Sequence, residues 1–177
     1  MNKTFKVIIS NPIGNLYRKN HVLILLQLNN GNYILGKKRG FYPDHIARFI
    51  GGGVEKDEDP LLAAKREIEE ELKININKGN LVHLAKITTN AKTNEGDMSM
   101  TTNVFSLIID SELKPTASDD LTGLVELTSN QFQQLISDMY SLTGTLKTEK
   151  FSFDWQDWGK IYGPIHELSL NEFLTLR

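Results

Sequence analysis

Two apolar runs, HVLILLQL (21–28) and NYILGKKR (32–39), stand on either side of NNGN, a turn whose residues tolerate positive φ. Runs of this length bounded by turn residues read as strands, and two so closely spaced read as a β-hairpin. FKVIIS (5–10) reads as a further strand. ARFI (47–50) leads into three glycines and then DPLLAAKREIEEEL, where Asp59 is placed to cap a helix and Pro60 falls in the first turn, which needs no amide. Downstream, LVHLAKIT and TNVFSLIID read as strands bracketing a polar loop, TNAKTNEGDMSM (89–100), and GLVELT as a short strand. Thr128 with Gln131 forms a capping box opening a helix at NQFQQLISDMY, and Ser169 with Glu172 has the same spacing before NEFLTL. Strands, one well-marked helix, more strands and terminal helices predict an α+β fold or a helix–sheet–helix sandwich.

At 177 residues with 40% hydrophobic content, the chain can bury one core as a single domain, with some length left for appended elements. A net charge of -2 gives no basic excess for a nucleic-acid backbone, so no stable nucleic-acid partner is expected. The absence of cysteine excludes disulfides, thiolate zinc sites and cysteine nucleophiles, which leaves oxygen or histidine to hold any metal. His166 and the other histidines lack ligand spacing and read as core or surface residues. The longest apolar run, VLILL, is too short to cross a membrane, and the first residues lack a secretory pattern, so a cytoplasmic protein is expected.

REIEEEL (66–72) places four glutamates within five positions of the helix end. Glu67, Glu70 and Glu71 share one face, beside an apolar stripe of Leu61, Ala64, Ile68 and Leu72; Glu69 points elsewhere. Like charges at these spacings repel by a few tenths of a kcal/mol per pair, roughly, and the helix C-terminus also disfavours anions. Two readings remain: a solvated acidic face, or a site for a hard cation such as Mg²⁺, Mn²⁺ or Ca²⁺.

From Gly52 the sequence GGVEKDEDPLLAAKREIEEELKI follows G-x5-E-x7-R-E-I-x-E-E-x-K-I, which resembles the signature of the Nudix hydrolases. The resemblance implies a Nudix-like α/β/α sandwich with a mixed β-sheet and a loop–helix–loop catalytic motif. It implies cleavage of a pyrophosphate bond in a nucleoside diphosphate linked to another group, with Mg²⁺ or Mn²⁺ as cofactor. Glu67, Glu70 and Glu71 then match metal ligands and catalytic carboxylates, Gly52 offers its carbonyl to the metal, and Glu58 and Arg66 match an ion pair bracing the motif loop. The general base is a motif glutamate or a downstream carboxylate, Asp120 foremost, with Asp119, Glu112 and Glu95 behind it.

Arg39 matches a phosphate-binding arginine, with Arg48 a weaker second, while Lys37 and Lys38 read as edge charges. Trp155 and Trp158 either stack on a nucleobase or pack a C-terminal extension, residues ~145–177, onto the domain. Lys73 replaces the usual glycine after the helix, so the left-handed ending is either strained or shifted toward Asn75. Markers of ADP-ribose and diadenosine polyphosphate hydrolases are absent from TTNAK, which leaves nucleoside triphosphates and nucleotide sugars open. An isoprenyl diphosphate isomerase-like enzyme lacks its cysteine here. A catalytically silent nucleotide-binding or sensor module is the other alternative, and the resemblance also implies a possible homodimer.

Overall fold

The computed structural model of the chain describes residues 1–10, 18–38, 41–118, 121–147 and 152–177. Its layers form about β2 (Asn20–Leu28). Val22, Ile24, Leu26 and Leu28 enter one apolar cluster and Leu23 and Leu25 the other. Successive strand side chains face opposite ways, so an unbroken apolar run requires cover on both faces. One face is covered by α1 (Pro60–Leu72) through Ala63, Ala64, Ile68 and Leu72. The other is covered by α2 (Ser129–Tyr140) and α3 (Trp155–Thr175), which bring Phe132, Met139, Trp158, Ile161 and Ile165 into the larger cluster.

The remaining strands of the main sheet are β1 (Asn2–Ile8), β3 (Tyr33–Lys37), β4 (Val82–Thr93), β5 (Gly96–Ile109) and β6 (Gly123–Leu127). They lie in the order β1-β4-β5-β2-β3-β6, parallel at β1/β4 and β2/β5 and antiparallel elsewhere, so the sheet is mixed and the α+β sandwich expected from the sequence is present. β7 (Thr145–Lys147) and β8 (Ser152–Asp154) form a separate two-stranded ribbon. Among the described residues no helix is long and apolar enough to cross a membrane.

The β2–β3 hairpin turns at Gly31, φ 94°, and pairs Leu26 with Ile34 and Gln27 with Tyr33. Farther from the turn the partners change. Ile24 bridges to Ile50 and Gly36 to Arg48, so residues 48–50 lie between the two strands, and His21 bridges to Gly53 beyond them. This insertion carries the glycine triplet onto the sheet beside α1.

Two expectations need correction. The polar loop at 89–100 is largely strand, because β4 runs to Thr93 and β5 restarts at Gly96. Thr89, Ala91 and Met100 are buried there, and β1 pairs with β4 over residues 86–92, which gives these polar strands an apolar face and a third partner. Ser169 caps nothing: it lies inside α3, and its hydroxyl donates to the Ile165 carbonyl at 2.6 Å. α3 lies close on α2 because residue 159 is glycine; a Cβ there would fall 2.0 Å from the Met139 carbonyl oxygen.

His21 and His166 are buried in this core. Burial pulls each pKa down to about 3, and for His21 the Arg48 and Arg18 charges act the same way. A folded pKa below the unfolded value near 6.5 means that acid favours the unfolded chain. Each histidine therefore contributes stability that is present above pH 6.5 and lost progressively toward pH 3. Chemical denaturation at pH 7.5 and 5.5 is expected to show His166→Gln losing about 1 kcal/mol less than the parent over that interval.

Candidate active site

α1 starts where the sequence places it. The Asp59 carboxylate accepts the Leu61 and Leu62 amides at 2.9 and 3.3 Å, and Pro60 occupies the first turn. At the other end Lys73 has φ 55° and ψ 29°, so the left-handed cap stays at its usual position despite the side chain. The amides of Ser118 and Thr116 donate to the carbonyls of Glu71 and Leu72, each at 3.1 Å, and satisfy acceptors that a helix end leaves open.

Arg66 organises the acidic face. Its Nε and Nη2 donate to the two oxygens of Glu58 at 2.9 and 3.0 Å, and Nη2 also donates to the Gly53 carbonyl at 3.0 Å. This fork ties the motif loop to the helix. Its Nη1 donates to Glu67 Oε1 at 2.9 Å and to Glu70 Oε2 at 3.0 Å. The Arg66 hydrogen bond holds the Glu58 carboxyl below the usual carboxylate range, and that pairing drives the Arg66 pKa up.

Glu67 and Glu71 are buried, whereas the Glu70 side chain is 59% exposed. Burial raises the pKa of Glu67, opposed by Arg66. Burial likewise raises that of Glu71, opposed by the Gly51 amide and the charges of Arg48 and Lys38. The Gly51 N–H donates to Glu71 Oε2 at 2.9 Å, and Lys38 Nζ lies 3.8 Å from Oε1. Lys38 thus reaches the carboxylates, although its sequence context reads as an edge charge. Only the tertiary approach of Lys38 to α1 reveals it.

The carbonyl of Gly52, expected as a metal ligand, accepts the Val22 amide at 2.9 Å and is aimed at β2. What Gly52 gives the site is room, since a Cβ there would lie 2.6 Å from both carboxylate oxygens of Glu67. Gly51 has φ 132° and would set a Cβ 2.3 Å from the Val22 carbonyl oxygen. The donor set is all oxygen and carries excess negative charge, which suits a hard divalent cation. Among the described residues no three ligating groups converge, and Glu67 and Glu70 are both engaged by Arg66.

Other expected site residues fall elsewhere. Arg48 lies beneath the loop: its Nη2 donates to the Gly51 carbonyl at 2.9 Å, and its guanidinium faces the rings of Tyr162 and Tyr42 at 5.4 and 6.0 Å. It supports the loop rather than facing a substrate. Trp158 is 2% exposed, with centroids 4.6 Å from Tyr162 and 5.5 Å from Tyr42, so its faces are covered by core partners rather than open to a base. Trp155 is half-buried at the start of α3 and packs against the larger cluster. Glu112 follows β5 beside the hairpin turn, where Ser111 bonds Asn29, at the far end of β2 from the glycines. Glu95 is exposed at the tip of the β4–β5 hairpin. Arg39, Asp119 and Asp120 lie outside the described residues.

The fold and this loop–helix arrangement agree with a direct family match: a model of the NUDIX domain fits residues 17–141. The chain belongs to the Nudix family. Solved structures resemble it at low identity. A MutT/nudix family protein from Enterococcus faecalis aligns with TM-score 0.58 at 16% identity over 90% of this chain; the chain spans 63% of that protein. The E. coli dihydroneopterin triphosphate pyrophosphohydrolase aligns with TM-score 0.55 at 17% identity, over 68% of this chain and 85% of that one. A bifunctional NMN adenylyltransferase/ADP ribose pyrophosphatase from Francisella tularensis, complexed with AMP and Mn ion, aligns with TM-score 0.51 at 19% identity, over 67% of this chain and 36% of that one. Among curated proteins, none matches the chain.

The left-handed Lys73 gives a stability prediction. Lys73→Gly relieves the Cβ strain and is expected to raise the unfolding free energy by about 0.5–1 kcal/mol, measured by denaturant titration.

Proposed function

We propose that this protein is a metal-dependent hydrolase cleaving the pyrophosphate bond of a nucleoside diphosphate joined to another group, with nucleoside triphosphates or nucleotide sugars as substrates. The observation that carries this reading is the α1 face itself. Glu67, Glu70 and Glu71 stand on consecutive turns, with Gly51 bonded to Glu71, Gly52 pressed against Glu67 and Lys38 alongside Glu71. Mg²⁺ or Mn²⁺, bound through Glu67, Glu70 and Glu71, would neutralise phosphate oxygens and lower the pKa of an attacking water.

The chain's own residues have separable parts. Arg66 keeps the loop registered on the helix through Glu58 and Gly53. Gly51 orients Glu71 through its amide. Glu70 is the most open of the three carboxylates. Asp120 is our choice of general base, supported by its flanks: the Ser118 amide is docked on the Glu71 carbonyl and the Thr122 amide on the Lys37 carbonyl. Lys38, with Arg39, is assigned to the substrate phosphates. The ligand of the Francisella relative, a nucleotide with Mn ion, is of the same chemistry.

A second reading, a nucleotide-binding module without turnover, is favoured by one observation: Arg66 already engages Glu67 and Glu70. Phosphorus NMR of products separates the two, using nucleoside triphosphates, nucleotide sugars, ADP-ribose and dinucleoside polyphosphates with Mg²⁺ and then with chelator. Hydrolysis of one class that stops on chelation is expected, and its phosphate products identify the bond cut. Absence of cleavage with either Mg²⁺ or Mn²⁺ supports the binding module.

Two substitutions test the residues. Glu70→Gln is expected to lower the metal-dependent rate by about 100-fold or more; an unchanged rate refutes the ligand assignment. Unchanged turnover in Asp120→Asn removes Asp120 as the base.

A further inference from the structure

The loop that carries Gly51–Gly53 is held from below by a helix outside the family match, which ends at residue 141. Arg48 pairs with Gly36 and Ile50 with Ile24 through backbone bonds. Between them the Phe49 amide donates instead to a side chain, His166 Nε2 on α3, at 3.1 Å. His166 Nδ1 lies 2.7 Å from the Tyr162 carbonyl, one turn earlier in α3. A carbonyl only accepts, so the imidazole proton sits on Nδ1 and leaves Nε2 as the acceptor that Phe49 needs. The imidazole also stacks on the Phe49 ring at 4.1 Å and 17°.

The hold passes directly to the acidic face. Arg48, adjacent to Phe49, lies over Tyr162 of the same helix and donates to the Gly51 carbonyl at 2.9 Å. The Gly51 amide in turn donates to Glu71 at 2.9 Å. An apolar residue would fill the space of His166, but none would accept the Phe49 amide, and an unpaired buried amide is costly. We propose that His166 is a positioning residue: by accepting the Phe49 amide it sets the loop 48–51 and, through Gly51, the orientation of the Glu71 carboxylate. The proposal rests on the reading of Glu71 as a cation ligand for its functional consequence, and on the hydrogen bonds alone for its structural one.

Replacing His166 by three residues separates positioning from packing. In His166→Gln the carboxamide oxygen reaches the place of Nε2 and keeps the Phe49 bond. In His166→Asn the shorter side chain reaches only the place of Nδ1, and His166→Leu offers neither. Two quantities are read on the full chain: amide hydrogen exchange at Phe49 and Gly51 by NMR without metal, and Mn²⁺ affinity from the free-ion paramagnetic resonance signal. Faster exchange at both amides in the Asn and Leu variants is expected, by about ten-fold or more, with α2 amides unchanged. Their Mn²⁺ dissociation constants should rise about 10- to 100-fold, the usual range for groups that orient a metal ligand. The Gln variant should stay near the parent in both.

Gly51 exchange that is unchanged in the Asn variant overturns the proposal, as does a loss that is equal in all three. Should the Leu variant not fold, the Asn–Gln pair still decides. A parent that binds no Mn²⁺ removes the metal reading, while Gly51 exchange continues to decide the role of His166.

Discussion

Backbone bonds from Ile24 to Ile50 and from Gly36 to Arg48 hold residues 48–50 in the opening between β2 and β3. The active-site loop is therefore part of the sheet for its first half, and only then departs toward α1. The departure needs glycine twice for different reasons. At Gly51 the positive φ and the Val22 carbonyl exclude a side chain, and at Gly52 the Glu67 carboxylate occupies the space. Because the loop is anchored on β2, β3 and α3, the carboxylates of α1 meet a fixed backbone rather than a pliable one.

Much of this was legible in the sequence. The hairpin, the Asp59–Pro60 start, the Thr128–Gln131 box and the motif spacing are local signals, and each corresponds to a local structure. Contributions from distant parts of the chain were not legible. Residues 89–100 look like a loop because their polarity hides an alternating buried set that exists only once β1 pairs beside them. Ser169 and Glu172 have capping spacing, but the helix already runs through them, and spacing alone cannot tell a start from a middle. Arg48 reads as a phosphate binder from residue type and Trp158 as either a base stacker or a packing residue, a choice only the tertiary contacts make: the tyrosines at 42 and 162 lie against both.

Arg48 also shows what the arrangement costs. Among the described residues its buried Nε has no hydrogen-bond partner, and a buried donor left unpaired costs about 1–3 kcal/mol. The guanidinium nonetheless gives the loop its bond to Gly51 and opposes the effect of burial on Glu71. Such exceptions to hydrogen-bond satisfaction gather where a group is held for a purpose other than stability.

Arg66 spans Glu58, Glu67 and Glu70 at once, and this makes it a tethered counter-ion. Without it, these three carboxylates would repel one another across the loop and the helix. On the proposed function, a divalent cation on Glu67, Glu70 and Glu71 would take the place of the Arg66 arm that holds Glu67 and Glu70, while the other arm stays on Glu58. Loading such a site would be an ion exchange, in which the resident charge stays on its tether.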